Sequence, residues 1–230
     1  MITARLVTTF IYQNLANATS LLGVLPLVIL FLDNGYQYVI PLIIYNNFMD
    51  DLDGVLAAKL NIRSRFGADL DNVCDAVAHI SLSLVVGAHF GGLLIVASAI
   101  TAGLILLRTV SRLNPKATGA VGSQTNELMR HMLFALLLVG QFNISPGYVL
   151  ISVFLIHSIS MVLPYPMPHF IIDRANSPIL LALVNVTLAI AWLLPATTPI
   201  IATVFFIAYI SSFIVGSVGW WNKLAIETRL

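Results

Sequence analysis

The sequence predicts an all-α polytopic membrane helix bundle, with about eight transmembrane helices and a short N-terminal interfacial helix. Three observations predict it. Hydrophobic residues make up 59% of the 230-residue chain and charged residues 9%, and mean hydropathy is +0.95, whereas a soluble domain carries about 25% charge. The apolar residues come in blocks of roughly 17–25 without strand alternation, which selects helices over a barrel. The 11 basic residues gather at one set of block ends, as the positive-inside rule requires.

The elements follow in order. Residues 1–15 mix apolar and polar side chains and suit an interfacial helix. They hold one Arg and no small-residue cleavage site, so the first span is expected to be retained. That span covers 16–32 and ends at the turn signal Asp33-Asn34-Gly35. The second covers 36–58, and a basic linker with Lys59, Arg63 and Arg65 follows. The third covers 69–88, and Gly91-Gly92 precede the fourth at 92–110. A polar loop over 112–126 leads to spans at 127–142 and, after a tight connection at 143–147, up to Leu163. Pro164, Pro166 and Pro168 open the next loop, the seventh span covers 177–195 and the eighth 199–218. The tail places Trp220 and Trp221 at an interface.

With the N-terminus cytoplasmic, Arg5, Lys59, Arg63, Arg65, Arg108, Arg112, Lys116, Arg130, Arg174, Lys223 and Arg229 all fall on or near the cytoplasmic side. The opposite connections hold no basic residue, which supports eight spans with both termini cytoplasmic. One domain over 1–230 is expected. Cys74 is the only cysteine, so no intrachain disulfide is possible, and it is expected to be a small packing residue. Sequons at Asn17, Asn143 and Asn185 carry little weight, because two of them lie inside spans.

Chemistry concentrates between Asp50 and Asp75. Six of the 10 acidic residues lie in these 26 positions. Asp50 and Asp53 are three apart near the end of one span, and Gly54 and Ala57 continue their face. Asp71 and Asp75 are four apart at the start of the next span, one turn after Gly67. A short linker brings the two acidic faces together. Four carboxylates in a low-dielectric medium repel, and protonation or divalent cations relieve this. An all-oxygen donor set favours Mg²⁺ or Mn²⁺, ions that hold phosphates. Gly54, Ala57 and Gly67 leave one wall without bulky side chains, where a ligand can approach the backbone. Acids at a helix start are favoured by the dipole, which accounts for Asp69 and Asp71 but not for Asp50 and Asp53 at a helix end. Asp51 and Asp69 point off the acidic face and are expected to meet solvent.

The pattern Asp50-x2-Asp53-Gly54-x2-Ala57, then Gly67-x3-Asp71-x3-Asp75, resembles the CDP-alcohol phosphotransferase signature D-x2-D-G-x2-A-R-x8-G-x3-D-x3-D. Seven of its eight positions match with spacing intact. The departure is Ala58 where the family has Arg; Lys59 follows it, about 100° away around a helix. Within the family the phosphatidylserine synthase branch is most similar. Asn17 to Leu25, Leu60-Asn61, the run from Ser64 to Asp71, Arg112-Leu113-Asn114 and Met161-Val162-x-Pro164-Tyr165-Pro166 resemble its motifs in shared order. The alanine-rich stretch common after the motif matched by Arg112-Leu113-Asn114 is replaced by Gln124 to Arg130.

The resemblance implies a reaction. CDP-diacylglycerol binds with its diphosphate on two metal ions, the hydroxyl of L-serine attacks the β-phosphorus, and CMP leaves. It implies Asp50, Asp53, Asp71 and Asp75 as metal ligands and Asp75 also as general base. Gly54, Ala57 and Gly67 would line the nucleotide site, with Asn17 and Ser20 reaching it from the first span. Arg112, Arg108 and Lys116 could clamp a lipid phosphate or the acceptor, although positive-inside anchoring explains them equally. His79, one turn after Asp75, could orient it, or be an interior group. Arg130 and His131 open a span and are expected to snorkel. The relatives imply a homodimer in the inner (cytoplasmic) membrane, surrounded by membrane lipids, with the active site cytoplasmic and no nucleic-acid partner. Inositol or its phosphate, glycerol phosphate, choline or an archaeal-type lipid donor are alternative substrates, and Ala58 raises the possibility of an inactive relative. A cation transporter is a different class, but it needs polar residues through the depth of several spans, and here the acids cluster at one end.

Overall fold

The computed structural model describes residues 10–114, 120–168, 170 and 178–227. Within them the fold is an all-α polytopic bundle without strands. Helix α1, Leu15–Val24, passes into a 3₁₀ segment, Leu25–Phe31. Pro26 sets that change, since it has no N–H for the Leu22 carbonyl. The Tyr45 hydroxyl donates to that carbonyl instead, at 3.0 Å.

Helix α2, Val39–Lys59, carries the first pair of aspartates in its last turns. The linker turns at Asn61, whose φ of 55° is left-handed. Helix α3, Arg65–Phe90, starts at Ser64, whose Oγ accepts from the Gly67 N–H at 2.9 Å, a normal cap for an orphan donor. Gly91 and Gly92, with φ of 72° and 56°, make the tight reversal into α4, Leu93–Leu113. Beyond that turn the two helices pack closely: a Cβ on Gly87 would collide with Ser98.

Helix α5, Thr125–Phe142, is preceded by a segment fastened to the end of α6, Pro146–Met161. Val121 and Gly122 donate to the Leu163 carbonyl, and Ser123 to that of Ser160. Helix α7 is Pro178–Leu193, and α8, Thr198–Glu227, is the longest. Every residue of α5 from Leu128 to Leu136 is buried. A helix buried on all sides is the centre of its bundle. Helices α2, α3, α6 and α8 pack around it, α1 covers α2 and α3, and α7 lies on α2.

Large apolar side chains such as Leu93, Ile179, Ile200 and Trp221 face outward, as hydrocarbon surroundings demand. Arg65–Phe90, Leu93–Leu113 and Pro195–Ile226 are each long and apolar enough to cross a bilayer. Leu15–Phe31, Pro146–Met161 and Pro178–Leu193 are shorter apolar helices, and α2 and α5 carry the polar residues of the site. Each of the eight predicted spans has a helix at its place among the described residues.

Two boundaries differ in ways that bear on the polar residues. The eighth helix continues to Glu227 rather than ending near 218, and Trp220 stacks on Tyr165 at 5.7 Å between centroids. Arg112 ends α4 instead of opening a loop. Of the expected interfacial helix over 1–15, residues 10–15 are described; Phe10 to Gln13 are helical, with Phe10, Ile11 and Tyr12 exposed. Arg5, Lys116, Arg174 and Arg229 lie outside the described residues.

Candidate functional site

The last turns of α2 and the first turns of α3 face each other across the linker. Asp50, Asp53 and Asp71 each place a carboxylate oxygen within 4.8 Å of the others. Asp53 is buried, while Asp50 and Asp71 are half-buried. Asp75 stands one turn deeper, within charge–charge range of all three but outside that triangle. Three converging carboxylates with no neutralising cation among them fit a divalent metal, and an oxygen-only donor set fits a hard one.

Neighbouring helices hold the acids in place. The Ser20 hydroxyl on α1 donates to Asp53 Oδ2. Asn126, at the start of α5, donates its amide to Asp50 Oδ2 at 2.6 Å. Arg112, exposed at the end of α4, lies in charge–charge range of Asp71 and Asp75.

Beside the acids is a cavity of about 250 Å³ between α1, α2, the linker and α3. Asn17, Ser20, Gly54, Ala57 and Gly67 all line it, together with Asp53 and Asp71. A Cβ on Gly54 would meet nothing within 4 Å, whereas one on Gly67 would lie 3.0 Å from Asn17 Oδ1 and 3.1 Å from Ser64 Oγ. The Asn17 amide donates to Asn14 Oδ1 at 2.9 Å, so its carbonyl oxygen remains toward Gly67. Arg63 and Ser64 also line this cavity, while Lys59 is exposed outside it. Arg63 is thus a linker cation that lines the cavity, at a register that the motif alone does not reveal.

The remaining expectations divide. Arg108 is buried, close to Arg112, and its Nη1 donates to the Ala120 carbonyl at 3.3 Å, so it fastens the segment before α5. His79 is 2% exposed, and its Nδ1 has no partner; it makes no hydrogen bond to Asp75. Cys74 is a buried free thiol. Asp69 pairs with Arg65 at 3.1 Å on the surface.

Two expectations are corrected. Asp51 does not face solvent: Asn185 on α7 donates to its Oδ2 at 2.6 Å, because α7 packs against that side of α2. Arg130 and His131 do not snorkel. Arg130 is 1% exposed and held between Asn47 and Glu127, at 3.0 Å each, and His131 is buried with its Nδ1 2.7 Å from the Glu127 carbonyl. Central α5 gives neither side chain a route to the interface.

Asn126, Asn47 and Asn185 were missed by sequence reasoning. Asn126 and Arg130 are four apart, and Asn47 and Asp51 likewise, so each pair shares a helix face. Asn185 is a lone amide in an apolar helix, where an unpaired polar group is costly. Those were the available signals.

Residues 13–166 match the sequence model of the family described as CDP-alcohol phosphatidyltransferase. Comparison with curated proteins finds no match.

Proposed function

From the premise that the chain belongs to the CDP-alcohol phosphatidyltransferase family, we propose that it transfers a phosphatidyl group from CDP-diacylglycerol to the hydroxyl of L-serine. Phosphatidyl transfer from a CDP-alcohol in phospholipid synthesis, in the membrane, is the family's chemistry. The observation that carries the reading to this chain is the convergence of Asp50, Asp53 and Asp71 beside the cavity that Asn17, Ser20, Gly54, Ala57 and Gly67 line.

Asp50, Asp53 and Asp71, with Asp75 beside them, would hold Mg²⁺ or Mn²⁺, which would supply neutralisation of the diphosphate and polarisation of its phosphorus. The cytidine side of the donor enters the cavity along Gly54 and Gly67, where missing side chains admit it. Arg63 stands at the phosphate end of that cavity in place of the family's arginine. Asn17 and Ser64 offer hydrogen-bonding groups to the nucleotide, and Ser20 fixes Asp53.

The acceptor approaches from the side of Asp75 and Arg112. Its hydroxyl oxygen forms a bond to the β-phosphorus as the bond to CMP breaks, and CMP departs with the electron pair. The hydroxyl proton passes to Asp75, the carboxylate outside the triangle. Positioning and charge supply most of the acceleration in such displacements. Arg112 is placed to meet the acceptor carboxylate, and Arg108 supports the segment behind it; Lys116 and His79 keep only the weaker acceptor-side roles expected of them.

Serine is supported by the ordered secondary motifs, above all Arg112-Leu113-Asn114. The replacement of the alanine-rich stretch by Gln124 to Arg130, with Asn126 on Asp50, favours the second reading, the same chemistry with another small polar alcohol. The distribution of the basic residues supports a cytoplasmic side for both termini and the site, and we infer one domain that works as a homodimer in the inner membrane.

Purified protein with Mn²⁺, CDP-diacylglycerol and a panel of alcohols tests the proposal. CMP release with L-serine is expected. Release only with a different alcohol reassigns the acceptor, and no release with any alcohol overturns the enzyme reading.

A further inference from the structure

Helices α7 and α8 lie beyond residue 166, where the family match ends. One of them nevertheless reaches the acidic helix. Asn185, in the middle of α7 and 8% exposed, donates to Asp51 Oδ2 at 2.6 Å. Its own Oδ1 accepts from Asn47 Nδ2 at 2.9 Å. Asn47 Oδ1 in turn accepts from Arg130 Nε at 3.0 Å, and Arg130 Nη1 donates to Glu127. Asn47 and Arg130 are both almost wholly buried.

The chain of contacts crosses three helices. Asp51 adjoins Asp50, and Asn47 lies one turn before it, so the contacts grip α2 on both sides of a residue of the carboxylate triangle. A helix anchored at two successive turns can neither rotate nor slide without breaking buried hydrogen bonds. In an apolar surround each broken bond leaves an unpaired polar group. Bundle packing alone does not require this: apolar side chains at 47, 51 and 185 would fill the same space. On α2 such a fixed rotation serves the face that carries Asp50 and Asp53 and the cavity wall of Gly54 and Ala57.

We propose that Asn185 is a positioning residue for the metal centre, and that the Asn185–Asp51–Asn47–Arg130 chain sets the rotation of α2 and hence the aim of Asp50 and Asp53. The inference rests on the metal-dependent reading above. It assigns α7 a task in the site although α7 contributes no ligand. Partners that orient ligands from behind typically change metal affinity by 10–100-fold when removed.

The test uses the full chain in nanodiscs with Mn²⁺ alone, its binding read by loss of the free-ion electron paramagnetic resonance signal, and CMP release measured in parallel. Asn185→Leu is expected to weaken Mn²⁺ binding about tenfold and to raise the Mn²⁺ needed for half-maximal CMP release equally, with the rate at saturating Mn²⁺ nearly kept. The exchange Asp51→Asn with Asn185→Asp keeps a donor facing a carboxylate and is expected to restore binding to within about threefold, a rescue that a purely packing role would not produce. Unchanged Mn²⁺ affinity in Asn185→Leu overturns the proposal. So does failure of the exchanged pair to bind more tightly than Asn185→Leu when both melt like the parent. If Asn185→Leu does not fold, Asn185→Ser and the exchanged pair decide by the same comparison. Weakened Mn²⁺ binding without CMP release from any variant or the parent would keep the positioning role and remove the transfer reading. CMP release with unchanged Mn²⁺ affinity would do the reverse.

Discussion

Asn126 on α5 donates its amide to Asp50 on α2 across 2.6 Å. The central, most buried helix of the bundle thus touches the acidic cluster through one short side chain. A donor on one carboxylate oxygen fixes how Asp50 sits in the triangle. Replacing Asn126 by Ala is expected to lower CMP release about tenfold and to raise the metal requirement, as loss of a ligand-orienting partner does. Titrating Mn²⁺ against activity in the variant and the parent checks it.

Ser20 serves Asp53 as Asn126 serves Asp50. In Ser20→Ala a buried carboxylate loses its hydroxyl partner, which costs about 1–3 kcal/mol where the acceptor is left unsatisfied. The expected outcome is a lower melting temperature in the metal-free protein, mostly recovered when Mn²⁺ is added. Thermal melts with and without the ion measure both.

The two glycines separate binding from folding. A methyl on Gly54 enters open cavity, while one on Gly67 is pressed against Asn17 and the Ser64 cap. Gly54→Ala is expected to melt like the parent and to raise the KM for the CDP-lipid severalfold. Gly67→Ala is expected to raise KM and also to destabilise the start of α3. Initial rates at varied donor concentration, alongside melts, distinguish the two.

Arg63 lines the cavity and Lys59 does not. If Arg63 supplies the charge missing at Ala58, Arg63→Ala raises the KM for the donor about tenfold, as loss of one charged hydrogen-bonding partner does, and Lys59→Ala leaves it unchanged. Equal effects of the two would assign the charge to the linker as a whole.

The architecture was legible because the membrane enforces simple rules: apolar blocks become helices, and turn residues such as Asn34 and Gly91-Gly92 separate them. The acidic faces were legible because three- and four-residue spacings on two helices joined by a short linker leave little choice of direction. The support behind them was not. Which helix lies behind Asp51 depends on packing between segments 134 residues apart, and no local spacing encodes that. Arg130 and His131 were misread for a related reason. A charged residue at the start of an apolar block normally reaches the interface, and only the central place of α5 forbids it. Likewise the register that brings Arg63 to the cavity follows from the left-handed turn at Asn61, one backbone angle in a short linker.

The most direct measurement is Mn²⁺-dependent CMP release by four single variants: Asp50→Asn, Asp53→Asn and Asp71→Asn, against Asp69→Asn as the control on the same stretch. Asp69 is paired to Arg65 at the surface and lies outside the triangle. Loss of at least about a hundredfold is expected in the first three, with Asp69→Asn close to the parent. Parental activity in Asp53→Asn or Asp71→Asn, with the protein folded, would contradict the account.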